Sequence, residues 1–139
     1  MKNLDNCIIV SIKPKFKSLL FSKEKIHEFR NVIPKKTVKY ICVYETTPIK
    51  ELSYVLVVDE PIVLPNIIIE DTYGKERFNS GEMNCKIAYP IINIYEFNPI
   101  SLEDLKSNFN FIIPQSFIYL DSIPKLKLFL NNVDMKKIW

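Results

Sequence analysis

The residues best suited to chemistry lie in two short stretches near the start of the sequence, Ser11 to Pro14 and Lys25 to Arg30. Because side chains alternate along a strand, Glu28 and Arg30 share one face if the second stretch is extended. Glu28 would then lie between Arg30 and Lys25, and Arg30 would offer a planar fork of donors to a phosphate or carboxylate. This pattern indicates nucleotide recognition. The alternative is a row of exposed surface charges that compensate one another, which would give the same sequence pattern.

Most other chemistries lack the residues they need. The sequence contains no glycine-rich phosphate loop, no nucleophile elbow and no paired-histidine zinc helix. With a single histidine, His27, it cannot assemble a Cys/His zinc cluster, and His27 is expected to pack or face solvent. The three cysteines, Cys7, Cys42 and Cys85, lie in apolar runs and are expected to be small buried hydrophobes in a reducing compartment. We therefore expect no metal and no cofactor.

Length and composition favour one compact cytoplasmic domain over residues 1–139. The chain is 47% hydrophobic and 25% charged, with only two glycines, which argues against disorder. No apolar run approaches the roughly 20 residues that span a bilayer. The polar N-terminal residues do not fit a signal peptide, so we expect no membrane partner.

The charge is divided unevenly along the chain. Residues 1–50 carry 11 Lys and Arg against 4 Asp and Glu, whereas residues 51–139 carry 8 against 12. This asymmetry indicates a basic face and an anionic partner. An AT-rich coding sequence would also supply many lysines, so charge alone does not decide the function.

The apolar runs predict the elements that must position these residues. Cys7 to Ile12 reads as a buried strand followed by a short helix beginning at Pro14, and Val38 to Glu45 and Leu52 to Asp59 read as further strands. A later strand over Cys85 to Phe97 and a helix capped by Ser101 complete the predicted pattern. Five to six short strands with about three peripheral helices predict an α+β fold, best fitted by a small mixed β-barrel.

The segment 70–84 interrupts this pattern. It is polar, has no clear period and contains both glycines, Gly74 and Gly81. Such a segment is typical of a functional flap over a site, and a plain disordered connection is the alternative.

Four ordered segments give the chain its resemblance to a known family, the ASCH domains of the PUA-like superfamily. Lys25, Glu28 and Arg30 fill the polar positions of that family's Gly-x-Lys-x-x-Glu-x-Arg signature, with Lys23 in place of the glycine. The other similar segments are Ser11-Ile12-Lys13-Pro14-Lys15-Phe16, Val43-Tyr44-Glu45-Thr46-Thr47-Pro48-Ile49-Lys50 and Pro114-Gln115-Ser116-Phe117-Ile118-Tyr119-Leu120. The chain resembles the small single-domain members found in bacteria, archaea and phages.

The resemblance implies a PUA-like barrel with a cleft beside the first helix and a role in binding RNA or nucleotide-like ligands. By position, the ligand-binding residues would be Ser11, Lys13, Lys25, Glu28, Arg30, Tyr44 and Thr46. A regulatory module without enzymatic activity is the favoured function.

A nucleoside amidohydrolase is the alternative, because some small ASCH proteins remove the acyl group from acetylated cytidine with a lysine, a threonine and a glutamate. Lys25 corresponds to the lysine and would act as the base, with Glu28 as its partner. Glu28 occupies the place of the threonine, however, and cannot serve as a hydroxyl nucleophile. A further acid would have to come from Glu60 or from the flap.

Overall fold

The chain begins with the predicted strand and helix. A computed structural model, which describes residues 3–139, has strand β1 at Cys7–Ile12, a 3-10 turn at Pro14–Phe16 and helix α1 at Lys17–Phe21. Proline occupies the first position of the turn because its fixed φ suits a helical start and its missing N–H is not needed there.

The remaining elements follow in chain order, with a second 3-10 turn at Leu120–Ser122. They are β2 (His27–Arg30), β3 (Tyr40–Glu45), β4 (Glu51–Val58), β5 (Ile62–Val63), α2 (Lys75–Asn79), β6 (Ile87–Ser101), α3 (Leu102–Phe109), β7 (Ile118–Tyr119), α4 (Pro124–Asn132) and β8 (Lys136–Lys137).

The strands form one mixed sheet in the order β2-β6-β4-β3-β1-β7, and β5 and β8 also pair with β6. Strands β1 and β3 run parallel, with Cys7 opposite Tyr40 and Ile12 opposite Glu45, and the other pairs are antiparallel. The fifteen-residue β6 pairs with four different strands along its length, so the sheet curls into a half-barrel.

This architecture confirms the predicted α+β class and is consistent with a PUA-like barrel. The described residues contain eight strands and four helices, more than predicted, because β5, β7 and β8 have only two residues each and α2 lies in the segment expected to be a loop. Ser101 caps α3 as predicted, its hydroxyl accepting a hydrogen bond from the Asp104 N–H at 3.1 Å.

Buried side chains fill both faces of the sheet. On the side of α1, the core includes Ile8, Val10 and Leu56; on the side of α3 and α4, it includes Ile9 and Leu126. A third cluster, formed by Ile68, Phe78 and Ala88, lies beneath the segment 70–84. The near-continuous apolar runs of β1, β3 and β4 are therefore explained by burial on two faces.

The cysteines differ in their surroundings. Cys7 and Cys42 are buried in the core, and burial raises the pKa of Cys7 to about 12 and that of Cys42 well above its usual value. They therefore act as packing residues, as predicted. Cys85 is only half-buried, because it precedes β6 and is not part of a strand.

No helix within residues 3–139 is long and apolar enough to cross a membrane. In the same range, no group of three His, Cys, Asp or Glu side chains is placed to share a metal ion.

Candidate functional site

Glu28 is held between two cations in the buried part of the site. The Lys25 ammonium donates to Glu28 Oε1 at 2.7 Å, and Arg30 Nη1 donates to Glu28 Oε2 at 3.1 Å. The side chains of Lys25 and Glu28 are each only 5% exposed. Both carboxylate oxygens therefore have a charged donor, which is the condition under which buried charges are tolerated.

The register of β2 places this cluster. Glu28 lies opposite Tyr89 and Arg30 opposite Ile87 on β6, so both point to the α1 side of the sheet. Arg30 also reaches across the open edge, where its Nη2 donates to the carbonyl of Ser116 at 2.8 Å. The cluster thus ties β2 to the segment that precedes β7.

A cavity of about 280 Å³ opens above the cluster, and we call it the cationic cleft. Within residues 3–139, five cations and one carboxylate line it, which favours an anionic ligand. Its lining residues are Ser11, Ile12, Lys13, Lys15, Phe16, Lys25, Glu28, Phe29, Arg30, Tyr73, Arg77 and Met83.

Aromatic rings form the apolar part of the cationic cleft. Phe16 and Tyr73 meet edge to face with ring centroids 5.9 Å apart, and Tyr73 is 42% exposed. The Lys25 ammonium lies 5.7 Å from the Phe16 centroid and 5.3 Å from that of Phe29. Accessible aromatic rings beside cations are typical of single-stranded nucleic-acid sites, because bases stack on the rings while phosphates pair with the cations; here Tyr73 is the exposed ring.

The segment 70–84, which we call the flap, is an ordered wall of the cationic cleft. The Thr72 hydroxyl accepts a hydrogen bond from the Ile26 N–H at 2.9 Å, and the Tyr73 N–H donates to the Glu24 carbonyl at 2.9 Å. Phe78 of α2 is fully buried against Phe29. These contacts favour the predicted flap over the alternative of a disordered connection.

A second cavity, of about 330 Å³, shares Phe29 and Arg30 with the cationic cleft. We call it the neutral cavity, because apart from the shared Arg30 none of the described residues that line it is charged. Its lining residues are Ile8, Phe29, Arg30, Asn31, Val32, Pro34, Cys85, Tyr89, Gln115, Ser116 and Phe117.

The structure brings five of the seven residues proposed from the sequence to one place. Ser11, Lys13, Lys25, Glu28 and Arg30 all line the cationic cleft. The Ser11 hydroxyl donates to the Pro114 carbonyl at 2.7 Å and so helps to hold the closing segment.

Tyr44 and Thr46 do not reach the cleft. Val43 faces the α1-side core, so the next residue, Tyr44, points to the opposite face, where its ring packs 5.7 Å from that of Phe111. Half-buried Thr46 follows the end of β3, and its N–H donates to the Ile12 carbonyl at 3.1 Å. Neither side chain therefore forms the next wall of the cleft as expected, because Tyr44 lies on the opposite face of the sheet and Thr46 lies beyond the end of β3.

Three residues that line the cationic cleft lie far from the signature in sequence and were not predicted. Tyr73, Arg77 and Met83 come from the flap, about 50 residues away along the chain. The only sequence signal was the flap's glycines, because Gly74 has a φ of +85° and allows the chain to turn against Phe29.

A buried hydroxyl lies behind the cluster. The Tyr54 hydroxyl has no hydrogen-bond partner among the described residues, and burial, with further contributions from Glu28 and Glu45, raises its pKa well above the usual value. Tyr54 therefore remains a neutral donor near Glu28 at physiological pH.

Solved structures share this fold. The crystal structure of ASCH from Zymomonas mobilis is 20% identical and matches with a TM-score of 0.68 over 93% of this chain and 96% of that one. A mutant of the same protein is 21% identical and matches with a TM-score of 0.67 over 95% and 99% of the two chains. No family model and no curated protein matches the sequence. The comparisons therefore show an ASCH-like fold along nearly the whole chain.

Proposed function

We propose that this protein is an ASCH-type, PUA-like regulatory module that binds RNA or a nucleotide through the cationic cleft. The observation that carries the proposal is the excess of five cations over one carboxylate in a cavity with aromatic walls. Since Lys25 and Arg30 already satisfy Glu28, the remaining charge of Lys13, Lys15 and Arg77 is available to phosphate groups.

The amidohydrolase alternative has less support. Glu28 is the one carboxylate that lines the cationic cleft within the described part of the chain, and neither Glu60 nor a flap acid does so. The Lys25 ammonium is engaged with Glu28 at 2.7 Å. Hydrolysis would need a second acid and a free nucleophile, and the lining supplies neither at the position of the family's threonine.

The proposal is tested by the salt dependence of RNA binding. Fluorescence anisotropy with a labelled single-stranded RNA of about ten nucleotides, measured at several KCl concentrations, should give a log K that falls linearly with log salt concentration. Lys15→Ala and Arg77→Ala remove exposed cations of the cleft without touching the buried cluster. Each variant should weaken binding and reduce the magnitude of the slope by about one.

Lys106→Ala is the matched control, because Lys106 is equally exposed but lies on α3, on the other side of the sheet. It should leave both affinity and slope nearly unchanged. Binding that does not depend on salt, or equal losses in all three variants, would exclude the cleft as the RNA site.

A further inference from the structure

The cationic cleft and the neutral cavity meet at one side chain. Arg30 and Phe29 line both, and the two volumes are similar, about 280 and 330 Å³. Each is at the lower end of the range of roughly 300–1,000 Å³ typical of small-molecule sites. A ligand that fills both must pass over the Arg30 guanidinium.

Arg30 is held rigidly at this junction. Its Nη1 donates to Glu28 and its Nη2 to the Ser116 carbonyl, and its side chain is 19% exposed. A guanidinium carries five N–H groups in one plane. These contacts use two, so within the described structure three remain for an anion. The geometry of this guanidinium matches a phosphate. Because the Arg30 side chain is already held in place, it loses little additional conformational entropy when it binds a ligand.

The neutral cavity has the chemistry of a base pocket. Ile8 and Phe117 contribute apolar walls, and the side-chain amides of Asn31 and Gln115 contribute donors and acceptors. Burial raises the pKa of Tyr89 to about 12, so its hydroxyl stays a neutral donor at physiological pH. An uncharged, planar heterocycle with a polar edge satisfies this lining, because single-stranded bases are recognised by stacking and by hydrogen bonds along their edges.

We propose that the site binds two successive nucleotides of a single strand, with the bridging phosphodiester on Arg30. One nucleotide, with its own terminal phosphate, occupies the cationic cleft, and the base of its neighbour occupies the neutral cavity. This inference rests on the proposed function and deepens it, since it defines a dinucleotide step as the smallest complete ligand.

Titration calorimetry with two probes tests this arrangement. The probes are adenosine monophosphate and the corresponding dinucleotide with a terminal phosphate. The wild-type protein should bind the dinucleotide at least about tenfold more tightly, because only the dinucleotide is long enough to occupy both cavities at once. Val32→Trp, which places an indole among the lining residues of the neutral cavity, should reduce dinucleotide affinity toward the level of the mononucleotide and should affect mononucleotide binding much less.

Ile33→Trp is the matched control, because Ile33 is adjacent and exposed but lines neither cavity. It should retain the preference for the dinucleotide. Gln115→Ala is a milder second variant, which removes one amide from an exposed position and should lower dinucleotide affinity alone. Thermal unfolding of each variant shows whether it is folded, and Gln115→Ala decides the outcome if Val32→Trp is not.

The possible failures are distinguishable. If the longer RNA binds as proposed but the dinucleotide gains nothing over the mononucleotide, the two-nucleotide site is wrong and the proposed function stands. Equal effects of Val32→Trp and Gln115→Ala on both probes would also overturn it. If neither the longer RNA nor either probe binds the wild-type protein, the proposed function fails as well.

Discussion

Glu28 is the residue on which the buried charges depend. It accepts hydrogen bonds from both Lys25 and Arg30, and the three side chains lie where water has little access. Removing one partner of a buried ion pair is costly because the remaining charge is left without compensation, whereas the intact pair contributes little net stability.

Glu28→Gln should therefore lower the free energy of unfolding by about 3 kcal/mol, because Lys25 loses its counter-charge. Lys25→Met should cost less, since Glu28 keeps Arg30 at 3.1 Å. Urea denaturation of the two variants measures the difference. Equal losses, or a greater loss in Lys25→Met, would contradict the central role given to Glu28.

Lys23 adopts a backbone conformation that favours glycine. Its φ is +67°, in the turn between α1 and β2 where the ASCH signature has its glycine. A non-glycine residue thus occupies a turn position of positive φ. A side chain in this region is disfavoured by Cβ contacts with the backbone.

Lys23→Gly should be more stable than Lys23→Ala by roughly 1 kcal/mol in denaturant unfolding. Both variants lose the contact of the Lys23 ammonium with the Trp139 ring, which lies 5.0 Å away, so their difference isolates the backbone. Similar stabilities for the two variants would show that the turn relaxes without strain.

At the level of elements, the flap depends on one close approach. A Cβ at Gly74 would lie 2.8 Å from Met83 Cε and 2.9 Å from Phe29 Cε2, and both of those residues line the cationic cleft. Gly81 has nearly the same φ, +82°, but a Cβ there would meet no atom of the described residues within 4 Å. A comparison of substitutions at the two glycines therefore separates the cost of an unfavourable φ from the cost of steric overlap.

Gly74→Ala should destabilise the protein by about 3 kcal/mol and Gly81→Ala by about 1 kcal/mol, because only the former adds overpacking to an unfavourable φ. Gly74→Ala should also weaken RNA binding, since Phe29 and Met83 must shift. Thermal unfolding and anisotropy measure the two effects. If Gly81→Ala were equally damaging, steric contact at Gly74 would not be the cause.

The seam between β2 and the flap contains a buried histidine. Neither ring nitrogen of His27 has a hydrogen-bond partner among the described residues, and Glu70 Oε1 lies 3.9 Å from Nε2. Burial lowers the pKa of His27, and Lys25 lowers it further, while Glu70 opposes the change. His27 is therefore neutral in the folded protein at neutral pH.

A depressed histidine pKa makes the folded state less stable in mild acid. The unfolded chain takes up the proton as pH falls below about 6.5, before the folded protein does, so the stabilisation present above that pH is progressively lost. His27→Gln cannot titrate and should flatten the part of the stability profile that falls as the pH drops below about 6.5. Unchanged slopes in chemical denaturation would assign the pH dependence to other groups.

At the scale of the whole molecule, local sequence signals predicted the elements and missed how they join. The apolar runs identified β1, β3 and β4, and the Ser101 cap identified α3. The two-residue strands were not predictable, because pairing with distant residues defines them and their own composition does not. The apolar run at residues 67–69 forms neither a strand nor a helix.

The residues of the candidate site divide in the same way, into those that local sequence predicts and those that depend on distant contacts. Alternation along β2 predicted that Glu28 and Arg30 share a face beside Lys25, and the three side chains are in contact, because these residues are close in sequence. Arg77 lines the cationic cleft because the flap packs beside β2, and Tyr44 does not because its side chain lies on the other face of the sheet. Both facts depend on contacts between segments that are distant in sequence. Among the described residues, four of the five cations that line the cationic cleft come from the basic first 50 residues, so the uneven charge along the sequence is concentrated at this cavity.

Trp139 attaches helix α1 to strand β6. Its indole N–H donates to the Leu20 carbonyl of α1 at 2.8 Å, and its own carbonyl accepts from the Ile94 N–H of β6 at 2.8 Å. Strand β8 extends the same contact along β6. The last residues thus attach α1, and with it Phe16 and the cations that precede α1, to the longest strand.

Trp139→Ala should therefore cost about 2 kcal/mol of stability, less than a fully buried tryptophan, and should also weaken RNA binding because α1 loses its support. Trp139→Phe retains a ring but loses the hydrogen bond, so it should cost about 1 kcal/mol. Phe129→Ala is the control, since that ring is exposed on α4 and supports no part of the cleft. Denaturant unfolding and anisotropy on the same samples decide the matter: if Trp139→Ala lowered stability but left RNA affinity intact, the attachment of α1 would stabilise the fold without shaping the cleft.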